Sequence, residues 1–311
     1  MNHILQELEK KGFRARSVSI IHIAELKEKI EELHRQNAFS EDFFRERLTD
    51  FRFGFSESMP EARSLIVAAF PQPRIRITFT LRSGPISLIV PPTYQYDPNV
   101  TAERLLKNIL RRTGHRLART NLPLKLLAVR SGLGVYGRNN ICYIPGMGSF
   151  HRLMAFCTDH PLNKDSWGKA ILMDTCSRCY ACLRSCPTGA ITKDDFMLKA
   201  HLCLTYLNEK SGDFPAWVNP AWHNALVGCL HCQECCPENL ECRNWSELGD
   251  VFSKKETLTL LRGIRPKKIP SPLHQRLERL GLLDYIEILP RNIQAVAAAT
   301  SAENHFSEKP S

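Results

Sequence analysis

The sequence predicts an α+β chain in three parts. Up to about residue 165, short runs rich in branched residues alternate with amphipathic segments that stop at glycine. Most of the twelve cysteines then crowd into residues 166–245. After them, residues 246–311 carry two amphipathic helical stretches. The corresponding domains are an α/β part over 1–165, a cysteine-built module over 166–245 and a helical extension over 246–311 with a frayed end.

The first part opens on "MNHILQELEKKGF", an amphipathic helix with no apolar run behind its basic residues, so it does not read as a secretory leader. "LKEKIEELHRQ" (residues 26–36) has helical spacing. "SLIVAAF" (64–70), "RIRITFTL" (74–81) and "ISLIVPP" (86–92) are bounded by Pro or Gly, as strands are. "TAERLLKNILRRTG" (101–114) begins on Thr101 as its cap and ends at Gly114; "LPLKLLAVRSGLG" again ends in glycine. Strands return in "NICYIP" and "HRLMAFCTD". In the tail, "SKKETLTLLRGI" and "SPLHQRLERLGLLDYIEIL" flank the basic linker "RPKKIPSP" (265–272).

A hydrophobic fraction of 43% over 311 residues supports a packed core and excludes a disordered chain. No apolar run approaches the ~18 residues of a membrane-spanning helix, which points to the cytoplasm. Thiols there stay reduced, so clustered cysteines are metal ligands or redox groups before they are disulfides. The net charge of +10 favours acidic or phosphate-rich partners. Eight thiolates around two cubane cores of about +2 each would bring it to about +6.

Cys176, Cys179, Cys182 and Cys186-Pro187 form C-x-x-C-x-x-C-x-x-x-C-P. Two-residue gaps let one tight loop aim successive thiolates at neighbouring corners of a cubane, and the fourth cysteine of such a run serves a second cluster. The partner motif is Cys229, Cys232 and Cys236-Pro237, with Cys203 upstream. The assignment is a first 4Fe-4S cluster on Cys176, Cys179, Cys182 and Cys236, and a second on Cys186, Cys203, Cys229 and Cys232. Cys-x-x-Cys pairs also hold structural zinc; the third cysteine at the same gap and the two Cys-Pro steps favour iron-sulfur. Cys235 is the rival of Cys236. Cys142, Cys157 and Cys242 read as ordinary thiols.

"AVRSGLGVYGRNN" (128–140) and "GSFHRLMAFCTD" (148–159), followed by both cysteine motifs in this order, resemble the epoxyqueuosine reductases and their double-cluster relatives over roughly residues 60–245. The resemblance implies a cobalamin-binding domain related to the nitroreductases, joined to a ferredoxin-like module with two 4Fe-4S clusters. It implies electrons from an external donor and, with cobalamin, conversion of epoxyqueuosine to queuosine in a tRNA anticodon. Cofactor contacts fall on Gly132, Gly134 and Gly137, which permit close approach of main chain, and on Arg138 and Asn139. Arg138 stands where the family usually has lysine, and its fork could hold a corrin amide or a phosphate. For Gly132 alone, a helix C-cap is the commoner explanation.

The chain departs from that family in one place that matters for chemistry. The segment expected to carry the proton-donating aspartate reads "RLARTNLPLK" (116–125), without an acid. Tyr96 and Asp97, with Tyr94 beside them, are the candidate replacements. A different small substrate, or service as an electron-transfer module, therefore stays open. Basic clusters at Arg111, Arg112, His115, Arg116 and Arg119, and in the tail, suit salt-dependent RNA contact as well as a solvated helix face.

Overall fold

The computed structural model describes residues 2–54, 59–95, 97–162 and 164–307. It divides into two compact units, Met1–Gln72 with Asp97–Tyr180 and Ile191–Ala200, and Pro73–Tyr96 with Ala181–Ala190 and His201–Ser311. The linear boundaries expected at 165 and 245 are not where the chain divides. The physical reason is a long-range pairing: the hairpin just after residue 72 takes its third strand from beyond residue 245, so both segments fold with the tail.

In the first unit, strands β1 (Arg14–Ser19), β2 (Ser64–Pro71), β8 (His151–Thr158) and β5 (Leu117–Arg119) form an antiparallel sheet in the order β1-β2-β8-β5. The unbroken apolar run of β2 is explained by burial on both faces. Leu65, Val67 and Ala69 point to a core shared with Ile23 and Leu26 of helix α2 (Ile23–Arg35) and Leu127 of α5 (Leu124–Arg130). Ile66 and Ala68 point the other way, to Ile4 and Leu8 of α1 (Asn2–Lys10) and Ala102, Leu106 and Leu110 of α4 (Asp97–Arg112). A single turn, α3 (Glu41–Phe43), is capped by the Ser40 hydroxyl. Helix α4 starts at Asp97 rather than at Thr101, because an acid and a proline both suit a first turn. A small hairpin pairs β6 (Val135–Tyr136) with β7 (Cys142–Tyr143).

In the second unit, β3 (Arg74–Leu81) pairs antiparallel with β4 (Gly84–Val90) and parallel with β9 (Ser246–Phe252). One face of this sheet packs Ile77, Phe79, Leu88, Val90 and Phe252 against Leu260 of α9 (Lys254–Leu261), Leu273 and Leu277 of α10 (Ser271–Arg279) and Ile293 of α11 (Leu289–Ser307). The Phe79 and Phe252 rings stack at 4.6 Å. Ser253 and Glu256 form a capping box at the start of α9. The expected continuous helix over "SPLHQRLERLGLLDYIEIL" is broken at Gly281, whose φ of 68° ends α10. Helix α11 runs to Ser307, past the point where fraying was expected. Among the described residues no helix is long and apolar enough to cross a membrane.

Candidate metal centre and its surroundings

Three short segments of the second unit bring four cysteines together. Cys186 follows α6 (Ala181–Ser185), Cys203 stands at the N-terminus of α7 (Leu204–Glu209), Cys229 lies just before α8 (His231–Glu234) and Cys232 within it. Cys229 lies within electrostatic reach of Cys203 and Cys186, and Cys232 within reach of all three and of Cys182. Burial pushes the Cys229 thiol up to about 12 and the Cys232 thiol well above its ordinary value. Burial also raises Cys203, opposed by the main-chain N–H groups of Thr205 and Tyr206, which donate to its sulfur. Metal ligation has to displace these protons, so the thiolates form as the metal binds. Among the described residues no three His, Cys, Asp or Glu side chains close around one ion.

The loops that carry these cysteines are tied by side chains that no motif announces. Asn208 Nδ2 donates to the Gly228 carbonyl at 2.6 Å, and Asn292 Nδ2 donates to the carbonyls of Asn208 at 2.8 Å and Leu226 at 2.9 Å. Arg291 donates to the carbonyls of Leu207, Asn208 and Lys210 and lies 3.9 Å above the Phe214 ring. The first turns of α11 thereby hold the cysteine loops, and Leu226, Val227 and Leu230, all fully buried, keep water from them. Asn292→Ala would remove the buried bonds to the carbonyls of Asn208, which keeps Arg291 as a donor, and of Leu226. It is expected to lower stability by about 2 kcal/mol, read as a fall in the urea midpoint.

Cys182 lies in α6, and Cys236 has extended backbone before Pro237. Cys235, its rival, ends α8. Cys176 and Cys179 belong to the first unit, whereas Cys182 and Cys236 belong to the second. Cys142, Cys157 and Cys242 are buried in the protein interior, and burial raises the first to about 12.

In the first unit, the glycine turn is determined by its own packing. Gly132, φ 68°, closes α5 with a pair of bonds, Leu133 N–H to Ala128 C=O at 2.9 Å and Gly132 N–H to Val129 C=O at 3.1 Å. A Cβ on Gly134 would stand 2.7 Å from Ile144 Cδ1 and 2.8 Å from Cys142 Sγ; one on Gly137 would stand 2.6 Å from both Asn139 Oδ1 and Tyr143 Cε2. These two positions are closed by the β6–β7 hairpin and open no cradle. Gly132 alone has space around it. Asn139 is buried, its Nδ2 donating to the Tyr143 hydroxyl at 2.9 Å. The Arg138 guanidinium donates to the main-chain carbonyls of Cys176 and Lys193.

His151, beside this hairpin, is buried and donates from Nε2 to the Cys142 carbonyl at 3.0 Å. Burial lowers it from 6.5 to about 4 against the opposing effect of that bond. Between those values the unfolded chain binds a proton that the folded chain refuses. The stabilisation is complete above about 6.5 and disappears as pH falls toward 4, by about 3 kcal/mol. A His151→Gln variant is expected to lose less thermal stability than the parent between pH 7 and 4; parallel curves would refute the assignment.

Tyr94 is buried in the second unit, its hydroxyl donating to Glu209, and burial raises it well above its ordinary value. Asp97 is exposed at the start of α4, and Tyr96 lies outside the described residues. Of the basic cluster, Arg119 pairs with Glu103 and Arg116 with Glu61, and His115 Nδ1 lies 3.2 Å from Asp159. An open cleft of about 750 Å³ on the same face is lined by Arg104, Lys107 and Arg111.

Comparison with known proteins follows this geometry. Residues 175–239 match the 4Fe-4S double cluster binding domain family. The epoxyqueuosine reductase of Shigella dysenteriae is 30% identical over 169 residues, which cover 50% of this chain and 43% of that protein. The chain thus matches less than half the length of that relative. Among solved structures, the epoxyqueuosine reductase of Streptococcus thermophilus superimposes with a TM-score of 0.65 at 19% identity, over 96% of this chain and 81% of that one. An epoxyqueuosine reductase bound to an epoxyqueuosine-modified tRNA-Tyr stem loop gives 0.68 at 20% identity, over 96% and 80%. The chain thus has the fold of the epoxyqueuosine reductases, and its residues 175–239 match a double 4Fe-4S cluster binding domain.

Proposed function

We propose that this chain is a cytoplasmic iron-sulfur reductase that takes electrons from an external donor and, with cobalamin, converts epoxyqueuosine to queuosine in tRNA. The observation that carries this reading is the convergence of Cys186, Cys203, Cys229 and Cys232 inside the segment that matches the double-cluster family. When bound, the clusters supply one-electron transfer at low potential and cobalamin supplies the reducing metal centre.

The chain's own residues have separate tasks. Cys176, Cys179, Cys182 and Cys236 would hold one cluster, and the converging four the other. Asn208, Asn292 and Arg291 fix the loops of the second set, and the buried leucines around them exclude water. For cobalamin the glycine turn offers Gly132 as its open approach. Among the described residues, Gln72 Oε1 and His151 Nδ1 of the same unit are buried without hydrogen-bond partners, as atoms awaiting an amide-bearing group or water would be. Asp97 and Tyr96 remain the proposed proton donors, and the Arg104, Lys107 and Arg111 cleft the proposed phosphate surface.

Anaerobic loading with iron, sulfide and cobalamin, then an assay on tRNA bearing epoxyqueuosine, tests the reading. Roughly eight irons per chain, a corrin spectrum and conversion of the base are expected. Eight irons with neither corrin nor conversion would discard it in favour of an electron-transfer module, a second reading that the acid-free segment Arg116–Lys125 supports.

A further inference from the structure

Arg138 makes an unusual set of bonds within the first unit. Its main-chain N–H donates to Cys176 Sγ at 3.4 Å. Its Nη2 donates to the Cys176 carbonyl at 2.7 Å and its Nη1 to the Lys193 carbonyl at 3.0 Å. The guanidinium lies 4.8 Å from the centre of the Tyr180 ring. A fourth donor, Nε, is buried and has no acceptor in the described protein. A buried N–H without a partner is rare enough to ask what accepts it. Sulfur held at Cys176 would supply acceptors that the chain itself does not.

We infer that Arg138 is a positioning residue that fixes the Cys176 loop and raises the reduction potential of the cluster that Cys176 holds; this rests on the two-cluster reading above. The physics has two parts. Hydrogen bonds to a cluster sulfur and a nearby positive charge both favour the more negative, reduced cluster. The fork reaches two carbonyls at once while its plane lies over Tyr180, a combination that an ammonium cannot reproduce. Gly137 has a part in this arrangement, since a side chain there would collide with Asn139 and Tyr143 and shift the neighbouring N–H away from Cys176.

The test is a redox titration of the iron-loaded protein, followed by electron paramagnetic resonance, on the parent, Arg138→Ala and Arg138→Lys. In Arg138→Ala one of the two midpoints should move negative by about 59 mV, a tenfold loss in the equilibrium constant for one-electron reduction. The other midpoint should stay in place. Arg138→Lys keeps the charge and loses the fork, so a smaller shift in the same signal is expected. Both midpoints unmoved, with iron content intact, would overturn the role of Arg138 and leave the cluster reading standing. A parent protein that takes up no iron would overturn the cluster reading itself. Should Arg138→Ala fail to hold its full iron, Arg138→Gln, which keeps a polar amide donor without charge, carries the measurement to the same two outcomes.

Discussion

Cys232→Ser is expected to halve the bound iron, from roughly eight to roughly four atoms per chain, and to remove one of the two cluster signals. Cys232 lies within electrostatic reach of Cys186, Cys203, Cys229 and Cys182, and burial raises its thiol well above its ordinary value. A serine there presents an oxygen whose proton is harder still to remove in the same dry surroundings. The cluster loses one of its four thiolate ligands. Electron delivery through that centre would stop, and reductase turnover is expected to fall below roughly a hundredth of the parent, since even outer partners of a metal site cost roughly 10–100-fold. Two controls sharpen the outcome. Cys236→Ser should remove the other half of the iron and Cys235→Ser should remove none; the reverse pattern would transfer the ligand role to Cys235.

The double-cluster module matched over residues 175–239 was legible because its motifs depend on spacing within a few residues. Two-residue gaps and Cys-Pro steps fix which thiolates a tight loop can aim, without knowledge of the rest of the fold. The same holds for β2, whose uninterrupted "SLIVAAF" follows from burial on both faces. The strand β9 was not legible. "SELGDVF" mixes acids with apolar residues, and its exposed Leu248 and Val251 alternate with nothing; only its parallel pairing with β3 makes it a strand. That single long-range pairing also moved the unit boundaries. The glycines show a subtler gap. Their need was visible in the sequence, but the reason at Gly134 and Gly137 lies in Cys142, Tyr143 and Ile144, which crowd them in the hairpin. Asn208 and Asn292 carry no local signature at all, because what they do is satisfy carbonyls 20 to 84 positions away.

Gly281→Ala is expected to destabilise the second unit by about 3 kcal/mol, from two separable causes. The φ of 68° is left-handed, which costs an alanine about 1 kcal/mol. The added methyl would also press into the main-chain carbonyl of Tyr94, and backbone cannot rotate aside as a side-chain tip can, so overpacking adds about 2 kcal/mol. Gly263 provides the internal control. It too ends a helix at a positive φ, 72°, but a Cβ there meets nothing within 4 Å. Gly263→Ala should therefore pay only the conformational part, and the difference between the two urea midpoints isolates the Tyr94 contact. Tyr94 also lies against Gly228, where a Cβ would strike its hydroxyl, and within electrostatic reach of Cys203. Displacing it should disturb the loop that presents Cys229, so Gly281→Ala is expected to load iron less fully than Gly263→Ala. Equal midpoints and equal iron in the two variants would refute a tyrosine that links the helix stop at Gly281 to the metal centre.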